Sequence, residues 1–147
     1  MIPRLKKIYQ EEFIPALKQN LGIQNVMQVP KIEKIVLNMG LGLDASDSKI
    51  LKAIQTDLAN LTGQQPTLTK SKKAVANFKT RKDIPMGLKV TLRKNNMYCL
   101  LYPEVNFDKI EKMRGMDITV VTSTSDKNQA RALLDSFQFP FYKKGSN

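Results

Sequence analysis

The side chains best placed to do chemistry in this sequence are cations. Nine basic residues (Lys70, Lys72, Lys73, Lys79, Arg81, Lys82, Lys89, Arg93 and Lys94) fall within positions 70–94, beside Asp83 as the one carboxylate there. Clustered ammonium and guanidinium groups release counterions when they meet a polyanion, so they offer phosphate binding rather than bond making. That window holds eight of the net +11 charges, and the remainder of the 147 residues is close to neutral. Val75, Phe78, Ile84 and Met86 punctuate the window more often than a merely solvated charge run would need. Charge localised in this way points to nucleic acid. An anionic membrane surface is the other polyanion to weigh, but the chain has no basic amphipathic helix.

Groups for acid–base or nucleophilic catalysis are scarce. The sequence has no His, the commonest general base, and a single thiol, Cys99. One Cys excludes an internal disulfide and suits a reducing compartment. Without His it also leaves almost no basis for a zinc site, and no cofactor or metal is expected. Cys99 stands between Tyr98 and Leu100 and reads as a small buried hydrophobe. Glu104, Asp108, Glu111, Asp117 and Asp126 lie among nearly equal numbers of Lys and Arg, so surface charge and helix capping account for them. The rival enzymatic reading is a nucleotide site at Gly40-Leu-Gly-Leu-Asp-Ala45, which fits G-x-G-x-x-A. That fingerprint also needs an acidic residue about 20 positions further on, and none is there. A flexible strand-to-helix turn is the better account. Phe78, the one aromatic in the basic window, suits either base stacking or anchoring of its loop.

The elements that must position the cations follow from periodicity. Positions 3–20 read as a helix with Leu5, Ile8, Ile14 and Leu17 on one face, kinked or broken near residue 14 by Pro15. Lys31–Asn38 reads as a buried strand, and Asp47–Thr62 as a helix with Ser46 as N-cap. Ile50, Leu51, Ile54, Leu58 and Leu61 give that helix its apolar stripe, and Gly63 stops it. Thr67–Thr69 is a short strand. Leu88–Arg93 is a stronger one, with Leu88, Val90 and Leu92 on one face and Lys89, Thr91 and Arg93 on the other. Asp117–Thr122 is a further strand, and a last helix over 126–138 buries Ala130, Leu133, Leu134 and Phe137. The order implies one α+β domain over 1–147, two layers deep. Helices pack on one face of a mostly antiparallel sheet, with a long basic loop between two strands. No signal peptide is expected, because the start runs into Glu11 and Glu12 rather than an apolar core.

Several strings are familiar together. Asn25-Val-Met-Gln-Val-Pro30 is followed by Ile32-Glu-Lys-Ile-Val-Leu-Asn-Met-Gly40 and Leu61-Thr-Gly-Gln-Gln-Pro66. Thr69-Lys-Ser-Lys-Lys73, Phe78-Lys79, Arg81-Lys82 and Ile84-Pro-Met-Gly-Leu-Lys-Val-Thr-Leu-Arg93 come next. Tyr102-Pro-Glu104, Arg114-Gly-Met-Asp-Ile118, Ala130-Arg-Ala-Leu-Leu134 and Phe139-Pro-Phe141 complete the order. In these strings the chain resembles the universal family of large ribosomal subunit protein five, which binds 5S rRNA, in its bacterial or organellar form.

The resemblance implies a structural, non-enzymatic protein whose sheet face and nearby loops hold 5S rRNA in the central protuberance. Large-subunit rRNA and neighbouring ribosomal proteins would be its other partners, with no membrane involved. On matching positions, Asn25, Gln28, Asn38, Met39, Gly40, Gln64, Thr91 and Arg93 become the 5S rRNA-binding residues. The loop Lys70–Met86, with Lys70, Lys72, Lys73, Lys79, Arg81 and Lys82, would approach the elbow of P-site tRNA through sequence-tolerant contacts. The implied location is the cytoplasmic ribosome of a bacterium, or a mitochondrial or plastid ribosome. One departure stands out. After Met97-Tyr-Cys99 the family has a further helix and a glycine-containing loop, roughly forty residues by length comparison. Here Cys99 leads directly into Leu100-Leu-Tyr-Pro-Glu104. In the family that stretch includes surface facing small-subunit protein thirteen, the one partner this chain puts in question.

Overall fold

A computed structural model describes residues 3–78, 80–100, 115–139 and 141. The chain divides into two compact units, Met1–Glu33 with Val121–Asn147, and Lys34–Val120.

The first unit opens with α1 (Arg4–Ile8), passes through a π-helical turn at Tyr9–Phe13, and continues as α2 (Ile14–Asn20). The interruption expected near residue 14 is therefore a widened turn just ahead of Pro15. Proline lacks an N–H and its ring crowds the carbonyl four residues back, which a π turn relieves without breaking the helix. α5 (Lys127–Ser136) begins at Asp126, whose carboxylate accepts from the Asn128 N–H at 3.1 Å. Leu17 and Leu133 are fully buried, and Phe137 stacks on Tyr9 while meeting Phe13 edge-on. Burying each leucine contributes about 1.5–3 kcal/mol. Tyr9 was outside the expected stripe. It buries its ring and donates its hydroxyl hydrogen bond to the Pro30 carbonyl at 3.0 Å.

The sheet has the order β2-β3-β1-β4. Its strands are β1 (Ile32–Gly40), β2 (Thr67–Lys70), β3 (Pro85–Leu92) and β4 (Asp117–Thr122). The unit boundary falls within β1, after Glu33, and within β4, after Val120. In the second unit β3 pairs antiparallel with both β1 and β2. Ile35, Leu37, Leu88, Val90 and Leu92 are buried on one face of these strands, as the alternation requires.

That apolar face is covered by α3 (Ser48–Thr62), which buries Ile54, Leu58 and Thr62 and leaves Ile50, Leu51 and Leu61 half-buried. The cap of α3 is Asp47, not Ser46: its carboxylate accepts from the Lys49 N–H at 2.8 Å. Gly63 ends the helix at φ +65°, a left-handed conformation that side chains disfavour, and donates to the Ala59 carbonyl. α4 (Lys94–Leu100) was not expected from the sequence. It buries Met97 and Tyr98 and leaves Cys99 exposed, correcting the buried reading of that thiol. A helix turns about 100° per residue, so three consecutive side chains cannot all point inward. The architecture of the described residues is α+β, with α3 against β3 and α4 against α3.

Candidate nucleic-acid interface

The register fixes what the other face of the sheet presents. Asn38 stands opposite Lys89, Gly40 opposite Gly87 and Val36 opposite Thr91, while Thr67 and Thr69 on β2 face Lys89 and Gly87. Because alternate residues share a face, Val36, Asn38, Gly40, Gly87, Lys89, Thr91, Thr67 and Thr69 form one surface. Asn38, Lys89 and Thr67 are exposed, and no carboxylate lies among these eight residues. The turn after α3 adds Gln64, whose Nε2 donates to the Thr91 carbonyl at 3.2 Å. Arg93 is exposed just beyond the end of β3. A cation, hydroxyls and amides on an acid-free strand surface can bond phosphate, ribose and base edges together.

Asn38, Gly40, Gln64, Thr91 and Arg93 are thus gathered at one face and its margin. Met39 is not among them: it pairs with Leu88 on the apolar side and is half-buried. Asn25 and Gln28 belong to the first unit. Asn25 is a cap, its Oδ1 accepting from the Met27 N–H at 2.9 Å, and it holds a short turn on which Met27 is 85% exposed. Thr67 and Thr69 join the polar side on which the sequence already placed Lys89. The alternation in Thr-Leu-Thr and in Leu-Lys-Val-Thr-Leu-Arg was the signal that finds them.

The cations between β2 and β3 sit on a pinned connection. Ser71 exchanges backbone hydrogen bonds with Ile84 and Asp83 at its base, and Val75 pairs reciprocally with Thr80 nearer its tip. Between these two ties lie Lys72 and Lys73 on one arm and Arg81 and Lys82 on the other, all exposed. Lys70 belongs to β2 itself, and Pro85 and Met86 to β3. Lys79 and the side chain of Phe78 lie outside the described residues, as do Glu104, Asp108 and Glu111.

The nucleotide reading of Gly40–Ala45 fails on geometry. A 3-10 turn over Gly42–Ser46 is followed by Asp47, whose carboxylate occupies the helix N-terminus that a pyrophosphate would need. β1 runs antiparallel to β3 instead of entering a parallel βαβ unit. Asp126 caps α5, in keeping with the capping role expected of it.

An α+β scaffold whose β1–β3 face carries a cation, hydroxyls and amides beside a cationic strand connection offers a surface suited to a polyanion such as RNA. A family model described as "Ribosomal protein L5" matches residues 25–81, and one described as "ribosomal L5P family C-terminus" matches residues 99–141. "Large ribosomal subunit protein uL5" of Pelagibacter ubique is 46% identical over an alignment covering 100% of both chains. The protein of the same name from Clostridium botulinum is 43% identical, over 96% of this chain and 99% of the relative. The chain belongs to the ribosomal protein L5 family, a family of structural, non-enzymatic constituents of the large ribosomal subunit that associate with rRNA and other ribosomal proteins.

Proposed function

We propose that this chain attaches 5S rRNA to the central protuberance through the open face of β2, β3 and β1, and reaches P-site tRNA through the connection 71–84. The observation that carries the reading is the register, which aligns Asn38 with Lys89 beside Thr91 and Gln64 on an acid-free surface. Amides and hydroxyls there select ribose and base edges, while Lys89 and Arg93 bond phosphate. The pinned cations of the connection act by charge alone, which suits a site that every tRNA must pass. The bacterial relatives favour a bacterial cytoplasmic ribosome over an organellar one. The Pelagibacter alignment runs over 184 positions against 147 here, a difference of 37. We assign that extra length to a segment between Cys99 and Leu100, which puts the contact with small-subunit protein thirteen in question.

Filter binding to a bacterial 5S rRNA transcript, with an unrelated RNA as control and salt stepped from about 50 to 200 mM, tests the reading. Tight, selective binding that weakens by orders of magnitude with salt is expected for about six neutralised phosphates. Equal affinity for both RNAs overturns it.

A further inference from the structure

Ser71 faces two residues across the base of the connection instead of one. Its N–H donates to the Ile84 carbonyl at 2.9 Å, and its own carbonyl accepts from the Asp83 N–H at 2.9 Å. Asp83 is held at φ +66°, in the left-handed region. Two residues against one, the first of them left-handed, make a β-bulge of the kind that usually has glycine first. Asp tolerates that conformation better than most side chains, and glycine would permit it without fixing it. A second irregularity lies just behind. Thr69 pairs with Gly87 but Lys70 pairs with Pro85, so β2 skips Met86. The Met86 carbonyl accepts from the Leu41 N–H at 3.0 Å, just past the end of β1.

Two bulges therefore stand at the root of the cation-bearing connection. A bulge bends the chain that carries it and adds right-handed twist, so the connection does not continue β2 and β3 as a straight ribbon. Beyond the bulges the arms are ordered again, because Val75 and Thr80 exchange both backbone hydrogen bonds. The Ser71 hydroxyl also donates to the Lys73 carbonyl at 2.7 Å, which holds the start of one arm. Asp83 is exposed, so burial does not explain it, and its carboxylate opposes the cations around it. What it supplies is the backbone conformation of the bulge.

We propose that Asp83 is a positioning residue: its left-handed bulge turns the arms bearing Lys72, Lys73, Arg81 and Lys82 away from the line of β2 and β3, towards tRNA phosphates. Asp83 itself touches no RNA. The contact remains one of cation and phosphate, and the bulge decides where the cations stand. This inference rests on the tRNA reading above and adds to it how the charge is delivered.

Asp83→Asn and Asp83→Val remove the same charge, so attraction to phosphate rises equally in both. They differ in backbone preference, since Asn accepts the left-handed region and Val is a strained outlier there. Ribosomes are reconstituted with wild type, with each variant, and with a protein whose Lys72, Lys73, Lys79, Arg81 and Lys82 are replaced by Ala. P-site tRNA is read by filter retention. The Asn variant is expected to retain tRNA at or above the wild-type level, and the Val variant several-fold below it. Amide hydrogen exchange in the free proteins is expected to show Val75 and Thr80 protected in both variants, so that direction and not order has changed. Equal retention by the two variants overturns the aiming role and leaves the tRNA reading intact. Loss of Val75 and Thr80 protection in the Val variant also overturns it, because disorder then accounts for the lost tRNA. A five-Ala protein that retains tRNA as well as wild type overturns the tRNA reading and this inference together.

Discussion

The Gln64 side chain donates from Nε2 to the main-chain oxygen of Thr91, 3.2 Å away, and ties the turn after α3 to the polar face of β3. With Nε2 donating to the strand, Oε1 is the atom of the amide that can accept from a ligand. Gln64 is thereby oriented before any ligand arrives, which reduces the ordering cost of binding. Gln64→Ala removes both the tie and the acceptor. Its effect on folding is expected to be small, because the bond is exposed and water replaces it. The loss of 5S rRNA affinity is expected to be about 1–3 kcal/mol. Thr91→Ala keeps the main-chain oxygen and isolates the hydroxyl. Filter binding and thermal melts on the two variants separate the roles, and a large fall in stability for Gln64→Ala would make it structural instead.

How much of this was legible in the sequence depends on the range of the interaction. The polar alternation of Lys89, Thr91 and Arg93 states which way β3 faces, because a strand has only two faces. The bond from Gln64 to Thr91 depends on where a turn lands 27 residues away, which no local pattern encodes. α4 was missed for a related reason. Its opening Lys94-Asn-Asn is poor helix-forming sequence, and the burial of Met97 and Tyr98 makes up the difference. Tyr9 was missed because a tyrosine in a helix suits surface or core equally, and here a tertiary carbonyl receives its hydroxyl hydrogen.

The cap of α3 gives a direct stability prediction. Asp47 Oδ1 accepts from the Lys49 N–H at 2.8 Å, and its charge also favours the helix N-terminus. Asp47→Ala is expected to cost about 1 kcal/mol of unfolding free energy, read from urea denaturation. Asp47→Asn keeps the acceptor without the charge and is expected to recover most of that loss. Equal losses for Ala and Asn would assign the effect to charge alone.

Burial pushes the Tyr98 phenol above its usual pKa of 10.0. The folded state therefore holds the proton at a pH where the unfolded chain has released it. Stability from this group is fully present below about pH 10 and declines as pH rises through the folded-state value. Melting temperature against pH should bend downward above about pH 10. Tyr98→Phe, which has no phenol to ionise, should show a shallower fall over the same range. Superimposable alkaline profiles for the two proteins would remove Tyr98 as a cause.

The proposed 5S rRNA and tRNA contacts rest on different residues and can be separated by mutation. The cations of the connection, Lys72, Lys73, Arg81 and Lys82, are held on two arms tied at Ser71 and Val75, and Lys79 lies between them in sequence. Replacing these five with Ala removes five positive charges and leaves the register of β1, β2 and β3 untouched. The variant is expected to fold normally and to bind 5S rRNA within a few-fold of wild type, since only long-range attraction is lost there. In reconstituted ribosomes, occupancy of the P site by tRNA is expected to weaken for all tRNAs alike, because phosphate contacts carry no sequence information. Occupancy is read by filter retention of labelled tRNA. A collapse of 5S affinity in the folded variant would move the connection from tRNA to 5S rRNA. A loss confined to particular tRNAs would contradict its purely electrostatic character.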